Sequence, residues 1–354
     1  MAKNIVIFSD GTGQEGGSDR NTNVYKLFSM IEDRTSRQVA FYDRGLGTGW
    51  RKVSGNVGGK GISANIKECY EFIFDQFEAG DQVYLFGFSR GAATVRSLSS
   101  FIHYFGILPK SRPELIEEAY DIYKISREKK RKKKAGDFVR KNRTIWARIQ
   151  FVGCYDTVAA LGLPFKAASV LLDGIPGFRH RFHNFRLSES IENAYHALAI
   201  DDERTSFHPV LWEPEVEAHQ KVRQVWFAGM HTDVGGGYEE QSLSDIPLVW
   251  LTEMAVRHGL HIYPDHSVEI IEDADGVMHD SRGEGVKKLF RRKARFWDTR
   301  RPDRPVVHQS VFDRKRNQKN EADPPYRPWI LDHEPDVEPW VPLPQLKWGR
   351  REGG

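Results

Sequence analysis

The 354-residue sequence predicts an α/β protein: a mostly parallel sheet with helices on both faces, a helical insertion and an irregular C-terminal extension. Two patterns carry this. From residue 3 to about 230, short β-rich apolar runs alternate with stretches whose apolar residues recur every three or four positions, as strands joined by crossover helices do. From about residue 259 the alternation stops and proline and charge rise, in DPPYRPW and DVEPWVPLPQ.

The elements follow in order. NIVIFS at 4–9 reads as a strand, residues 23–31 as a helix and QVAFYD at 38–43 as a strand. Residues 62–77 read as a helix because Ile62, Ile66, Tyr70, Ile73 and Phe77 share one face. QVYLFGFS is the next strand and residues 92–105 the helix after it. Residues 107–142 form the insertion: Pro109 and Pro113 open it, apolar positions stripe one side, and charge dominates afterwards. An insertion of this kind is expected to cap a site. Beyond it come a strand within 144–156, a helix near 189–200, the strand VRQVWFAG and a helix near 246–257. The expected organisation is one α/β domain over 1–258, with 259–354 packed on it.

A composition of 39% hydrophobic, 12% aromatic and 29% charged residues excludes disordered, collagen-like and disulfide-stapled classes. Cys69 and Cys154 are too few and too far apart for a zinc finger or disulfide framework, so both read as buried, reduced thiols. The short apolar run at the start is broken by Asp10, too early for a signal-peptide core, and nothing later is long and apolar enough to span a membrane. Cytoplasm is the default expectation. The net charge of +3 is uneven: residues 127–134 carry +6 and residues 287–301 carry +7, on an otherwise acidic body. The first cluster reads as the solvated end of a charged helix. The second interleaves Leu289, Phe290, Phe296 and Trp297 with its cations, a pattern compatible with an interfacial segment.

The strongest chemical signal is Gly87-Phe88-Ser89-Arg90-Gly91, directly after an apolar strand and directly before a small-residue helix start. This is the context of a nucleophile elbow, where a tight strand-to-helix turn strains the central residue and Gly87 and Gly91 keep its surroundings clear. A serine hydroxyl needs a histidine base, and the base needs a carboxylate to orient it. His231 is the preferred base, because it leaves a strand and precedes the glycine run 235–237. Asp156, at the end of IQFVGCYD, is the preferred acid, with Asp201, Asp202, Asp233 and Asp245 as rivals. The first strand ends in a glycine-containing turn, so amides of Gly11 and Thr12, with that of Arg90, are the candidate oxyanion-hole donors. Tyr42-Asp43-Arg44-Gly45-Leu46-Gly47 lacks the G-x-G-x-x-G spacing of a dinucleotide loop, so no cofactor is expected.

FSDGTG, YDRGLGTG, GFSRGA, CYDTVA, HALAIDDER and WFAGMHTDVGGGY, in that order, resemble an uncharacterised α/β-hydrolase domain family that includes type VI secretion phospholipase effectors, over about residues 3–255. The resemblance implies an α/β-hydrolase-like fold and a serine esterase or phospholipase. It puts Ser89, Asp156 and His231 on the family's nucleophile, acid and base, and residues 196–204 on a block assigned to structural bracing. Phospholipid is the substrate class favoured by the resemblance and the basic clusters, which also admit peripheral membrane contact; nucleic acid is not expected. Secretion by the type VI route, whose cargo carries no signal peptide, is compatible with this reading.

Two other classes compete. Asp10, Asp43, Asp156, His231 and Asp233 would serve a metal-dependent phosphoesterase if the strand ends gathered them around a divalent cation. A non-catalytic binding module would instead use the basic clusters to dock a partner.

Overall fold

The computed structural model describes residues 2–11, 17, 20–45, 57–158, 187–204, 207–264, 266–280, 293–316 and 325–340, with backbone alone at 57–60 and 316. In chain order these form β1 (Asn4–Ser9), α1 (Asn23–Met30), β2 (Gln38–Asp43), α2 (Val57–Gln76), β3 (Gln82–Phe88), α3 (Arg90–Phe105), α4 (Leu115–Tyr123) and α5 (Glu128–Asn142). There follow β4 (Ile149–Tyr155), β5 (Asn193–Ala199), β6 (Lys221–Phe227), α6 (His231–Gly235), α7 (Ser242–Arg257), β7 (Val306–His308), α8 (Gln309–Arg316) and β8 (Asp336–Glu338).

The strands make one eight-stranded sheet in the order 2-1-3-4-5-6-7-8, and every adjacent pair is parallel. Alternate side chains of the apolar strands feed two cores. Val6, Phe8, Tyr84 and Phe86 face α1 and α7, while Ile5, Ile7, Val83 and Leu85 face α2 and α3. Burial on both faces is why these strands read as unbroken apolar runs rather than as alternating ones. After β1 the chain moves outward to β2 and then returns past β1 to β3, so the order reverses between β1 and β3. The crevice beyond the C-terminal ends of strands at such a reversal is where open α/β sheets bind ligands.

Three expectations are corrected. The segment read as a helix near 189–200 is the strand β5, fully buried and paired with β4 and β6. Its NAYHALA combines helix-favouring alanine and leucine with burial on both faces, which erases the period that would mark a strand. The insertion does form two helices, but they do not cap the strand ends. Tyr120 and Tyr123 pack around Phe101, Tyr123 donates to the Ser97 carbonyl at 3.0 Å, and Phe138 of α5 packs edge-on to Phe105. Phe105 closes α3, about 22 Å along the helix axis from its start at 1.5 Å per residue. Finally, the extension is less irregular than its composition suggests, because β7 pairs with β6 and β8 with β7. Pairing of three-residue strands is decided by the waiting sheet edge and leaves no periodicity to read.

Candidate active site

Ser89 sits between β3 and α3 at φ 58°, ψ −117°, a conformation a non-glycine residue holds only when its surroundings impose it. They do so by contact. A Cβ on Gly91 would lie 1.9 Å from the Ser9 carbonyl oxygen, and one on Gly87 would lie 2.6 Å from the Ala92 nitrogen. Only glycine at both positions lets α3 start this close to the ends of β1 and β3, and the turn lifts the Ser89 hydroxyl above the sheet edge.

His231 opens the short helix α6 just after β6, with Asp233 holding the turn by accepting from the Met230 amide at 2.9 Å. The imidazole lies between the rings of Phe88, 4.7 Å away, and Phe207, 5.0 Å away and edge-on. Gly235 makes room for the Phe88 ring, since a Cβ there would come within 2.0 Å of it. Asp156 follows β4 at φ 37° with no solvent exposure.

These three residues, far apart in the chain, form one hydrogen-bonded line. The Ser89 hydroxyl donates to His231 Nε2 at 2.8 Å, and His231 Nδ1 donates to Asp156 Oδ2 at 2.6 Å. With Nδ1 carrying the proton, Nε2 has its lone pair directed at Oγ, the tautomer a general base needs. Burial pushes the Asp156 pKa up, but the Arg295 guanidinium more than offsets this and holds the carboxyl well below the usual carboxylate range. The site therefore contains a carboxylate that stays ionised at any ordinary pH.

Each rival acid faces elsewhere. Asp201 accepts from the Gly229 amide and the Tyr326 hydroxyl, and Asp202 from the Arg204 guanidinium and, at 3.3 Å, the His231 amide. Asp233 pairs with His279, and Asp245 with Lys26. His196, in the block assigned to bracing, is fully buried and accepts from the Thr157 amide at 3.0 Å, fixing the chain next to Asp156. Burial, aided by nearby Arg96, pushes its pKa down to about 3, so it is neutral.

The oxyanion-hole candidates are placed unequally. Arg90 is the first residue of α3, so its amide is one the helix leaves without an intrahelical acceptor, beside the Ser89 hydroxyl. Gly11 also adjoins Ser89, but its amide donates to Asp10 Oδ1 at 2.6 Å. Thr12 lies outside the described residues.

The metal-site alternative fares differently. Asp10 is held by the Thr22 and Tyr42 hydroxyls, Asp43 by Ser9 and Asn65, and Asp233 by His279. Among the described residues these carboxylates and imidazoles do not converge into a ligand set of three or more.

One residue of the site escaped sequence reasoning. Arg295, inside the basic cluster read as interfacial, is buried and reaches both oxygens of Asp156. Trp297 is likewise buried, whereas Lys293 and Phe296 are exposed. Burial alternates only from 294 to 297, and nothing in a cationic run reveals which member finds a carboxylate. The other basic cluster lies on α5 with its lysines at the surface, as a solvated helix face should. Leu289 and Phe290 lie outside the described residues.

A family model described as type VI secretion system, phospholipase effector Tle1-like, catalytic domain, matches residues 3–254. The chain belongs to this family. Within it, the matched span holds Ser89, Asp156 and His231, while Arg295 falls beyond its end. An uncharacterised protein of Saccharomyces cerevisiae is 26% identical over 237 residues, which are 60% of this chain and 33% of that one. The chain thus spans about a third of the length of that curated relative. Among solved structures, an uncharacterised protein from Pseudomonas aeruginosa aligns over 74% of this chain and 46% of its own, with 18% identity and a TM-score of 0.47. The Tle1 effector bound to the VgrG spike of the type VI secretion system aligns over 67% and 51%, with 19% identity and a TM-score of 0.39. An esterase from Thermogutta terrifontis aligns over 75% and 86%, with 14% identity and a TM-score of 0.41. Among the described residues, no helix is long and apolar enough to cross a membrane.

Proposed function

We propose that this chain is a serine hydrolase that cleaves carboxylic esters of phospholipids through an acyl-enzyme. The observation that carries the reading is the line from Ser89 Oγ through His231 to Asp156, at the sheet edge where the strand order reverses. Ser89 attacks the ester carbonyl while His231 Nε2 takes the hydroxyl proton, and Asp156 stabilises the imidazolium that forms. The tetrahedral oxygen receives the Arg90 amide; Gly11 joins only by turning its amide away from Asp10, and Thr12 is the remaining donor from that loop. His231 then gives its proton to the leaving alcohol. Water, deprotonated by the same imidazole, attacks the acyl-enzyme and releases the fatty acid and Ser89.

The family's phospholipase effectors support the lipid substrate class. So does the surface near the site, where exposed Phe296 lies with the Lys293 ammonium 4.9 Å from its ring centre. A cation beside an exposed aromatic suits the interface of an anionic bilayer. Delivery by a type VI secretion system is proposed on the same family ground.

The test is intact-mass analysis after treatment with a fluorophosphonate probe, paired with release of fatty acid from phosphatidylglycerol vesicles. Stoichiometric labelling and fatty-acid release, both lost in Ser89→Ala, are the expected outcome. A folded wild type that takes no label and releases no fatty acid sinks the proposal.

A further inference from the structure

Arg295 is a buried cation, and its partners explain its place. Nη1 donates to Asp156 Oδ1 at 2.7 Å and Nη2 to Asp156 Oδ2 at 2.8 Å, a fork-on-fork pairing. The same two nitrogens also donate to the carbonyls of Ala199 and Phe207. Asp156 in turn accepts from the Ala199 amide at 3.0 Å. The guanidinium therefore bolts together the end of β4, the end of β5 and the segment that carries Phe207. Two of these reach His231: Asp156 through Nδ1, and Phe207 through the ring packed against the imidazole. The segment that delivers Arg295 is itself anchored, by the Lys293 amide donating to the Glu203 carbonyl at 2.8 Å and by Trp297 buried in the core.

We propose that Arg295 is a positioning residue of the site, a cation from the C-terminal segment that sets both the orientation and the proton affinity of His231 by sharing the Asp156 carboxylate. This rests on the serine-hydrolase reading above. Two consequences separate it from a residue that merely holds the fold. The planar fork defines the plane of the carboxylate, so a point charge in its place leaves Asp156 free to turn. The shared charge weakens the field of Asp156 at the imidazole, so its removal raises the pH at which His231 gives up its proton. Other charged or titratable groups around the pair are Asp201, Asp202, Arg204, His196, His208 and Arg96, all of which the substitutions below leave in place.

The experiment compares wild type, Arg295→Lys and Arg295→Met in the full chain. Fluorophosphonate labelling counts competent sites, and p-nitrophenyl butyrate hydrolysis per labelled site is followed across pH. For Arg295→Met, kcat per site should fall by about a hundredfold and the acid limb of kcat/KM should move up by about one pH unit. Arg295→Lys keeps the charge, so its acid limb should stay in place while kcat per site falls by about tenfold. Wild-type kcat per labelled site with a superposable pH profile in Arg295→Met overturns the proposal. If that variant is insoluble, wild-type kcat per site in Arg295→Lys does so alone. A wild type that never labels, or hydrolysis that persists in Ser89→Ala, instead removes the serine-hydrolase reading itself, and the role of Arg295 with it.

Discussion

Replacing Asp156 by Asn changes one atom of a carboxylate that receives four donors. Oδ1 accepts from Arg295 Nη1 and the Ala199 amide, and Oδ2 accepts from Arg295 Nη2 and His231 Nδ1. An amide NH₂ on the Oδ1 side would face two donors, neither of which can change its protonation. On the Oδ2 side it would face one such donor and an imidazole that can switch tautomer, so the Asn amide should settle there. His231 then carries its proton on Nε2, against the Ser89 hydroxyl, and has no lone pair to accept from it. A wrong tautomer of this kind costs about 10⁴-fold in kcat in a serine protease, or about 5 kcal/mol of barrier. Stability should fall as well, by about 3 to 5 kcal/mol, because Arg295 becomes a buried cation facing a neutral partner. Ester hydrolysis per folded molecule and urea unfolding monitored by tryptophan fluorescence measure the two effects separately. Hydrolysis within about tenfold of wild type would refute the tautomer argument. An unchanged unfolding midpoint would refute the assignment of Arg295 to Asp156.

Burial raises the pKa of Asp201 to about 6, so the carboxylate opposes folding above that pH and the opposition fades as pH falls toward the unfolded value. Asp201→Asn keeps an acceptor for Gly229 and Tyr326, and should stabilise the protein at neutral pH by about 3 kcal/mol while gaining nothing at pH about 4. Melting temperatures of both proteins across that range decide it, and a gain independent of pH contradicts the charge argument. The Lys26–Asp245 pair, 2.6 Å apart with both side chains at most 6% exposed, predicts that Lys26→Met alone destabilises by about 3 to 5 kcal/mol. Adding Asp245→Asn should recover part of the loss; denaturant midpoints that do not improve in the double variant count against an uncompensated charge as the cause. Gly91→Ala drives a methyl into the Ser9 carbonyl and should abolish fluorophosphonate labelling, either by unfolding or by displacing Ser89. Full labelling of that variant would show that the elbow is looser than its contacts indicate.

Much of this site was legible before the structure. The elbow, the preferred His231 and the preferred Asp156 were read from residues at strand ends, because a parallel sheet collects the ends of its strands on one edge and chain order limits which group plays which role. The strands β1 to β4 and β6 and the helices α1 to α3 were legible for a related reason: runs of β-branched and aromatic residues mark strands, and a three-to-four-residue apolar period marks helices with one buried side. That rule fails for β5, whose NAYHALA has no β-branched residue, and for β7 and β8, whose three residues each are too few to show a period. Arg295 lies outside its reach altogether. Its role depends on meeting a carboxylate 139 residues earlier in the chain, and electrostatic pairing across a fold leaves no spacing in the sequence. By itself, then, the sequence determined the fold class, a candidate nucleophile elbow and a short set of candidate acids and bases. Only the tertiary structure decided which carboxylate faces His231, that the Gly11 amide is engaged by Asp10, and that a basic run read as surface sends one arginine inward, because each is a matter of distance between groups that local sequence does not constrain.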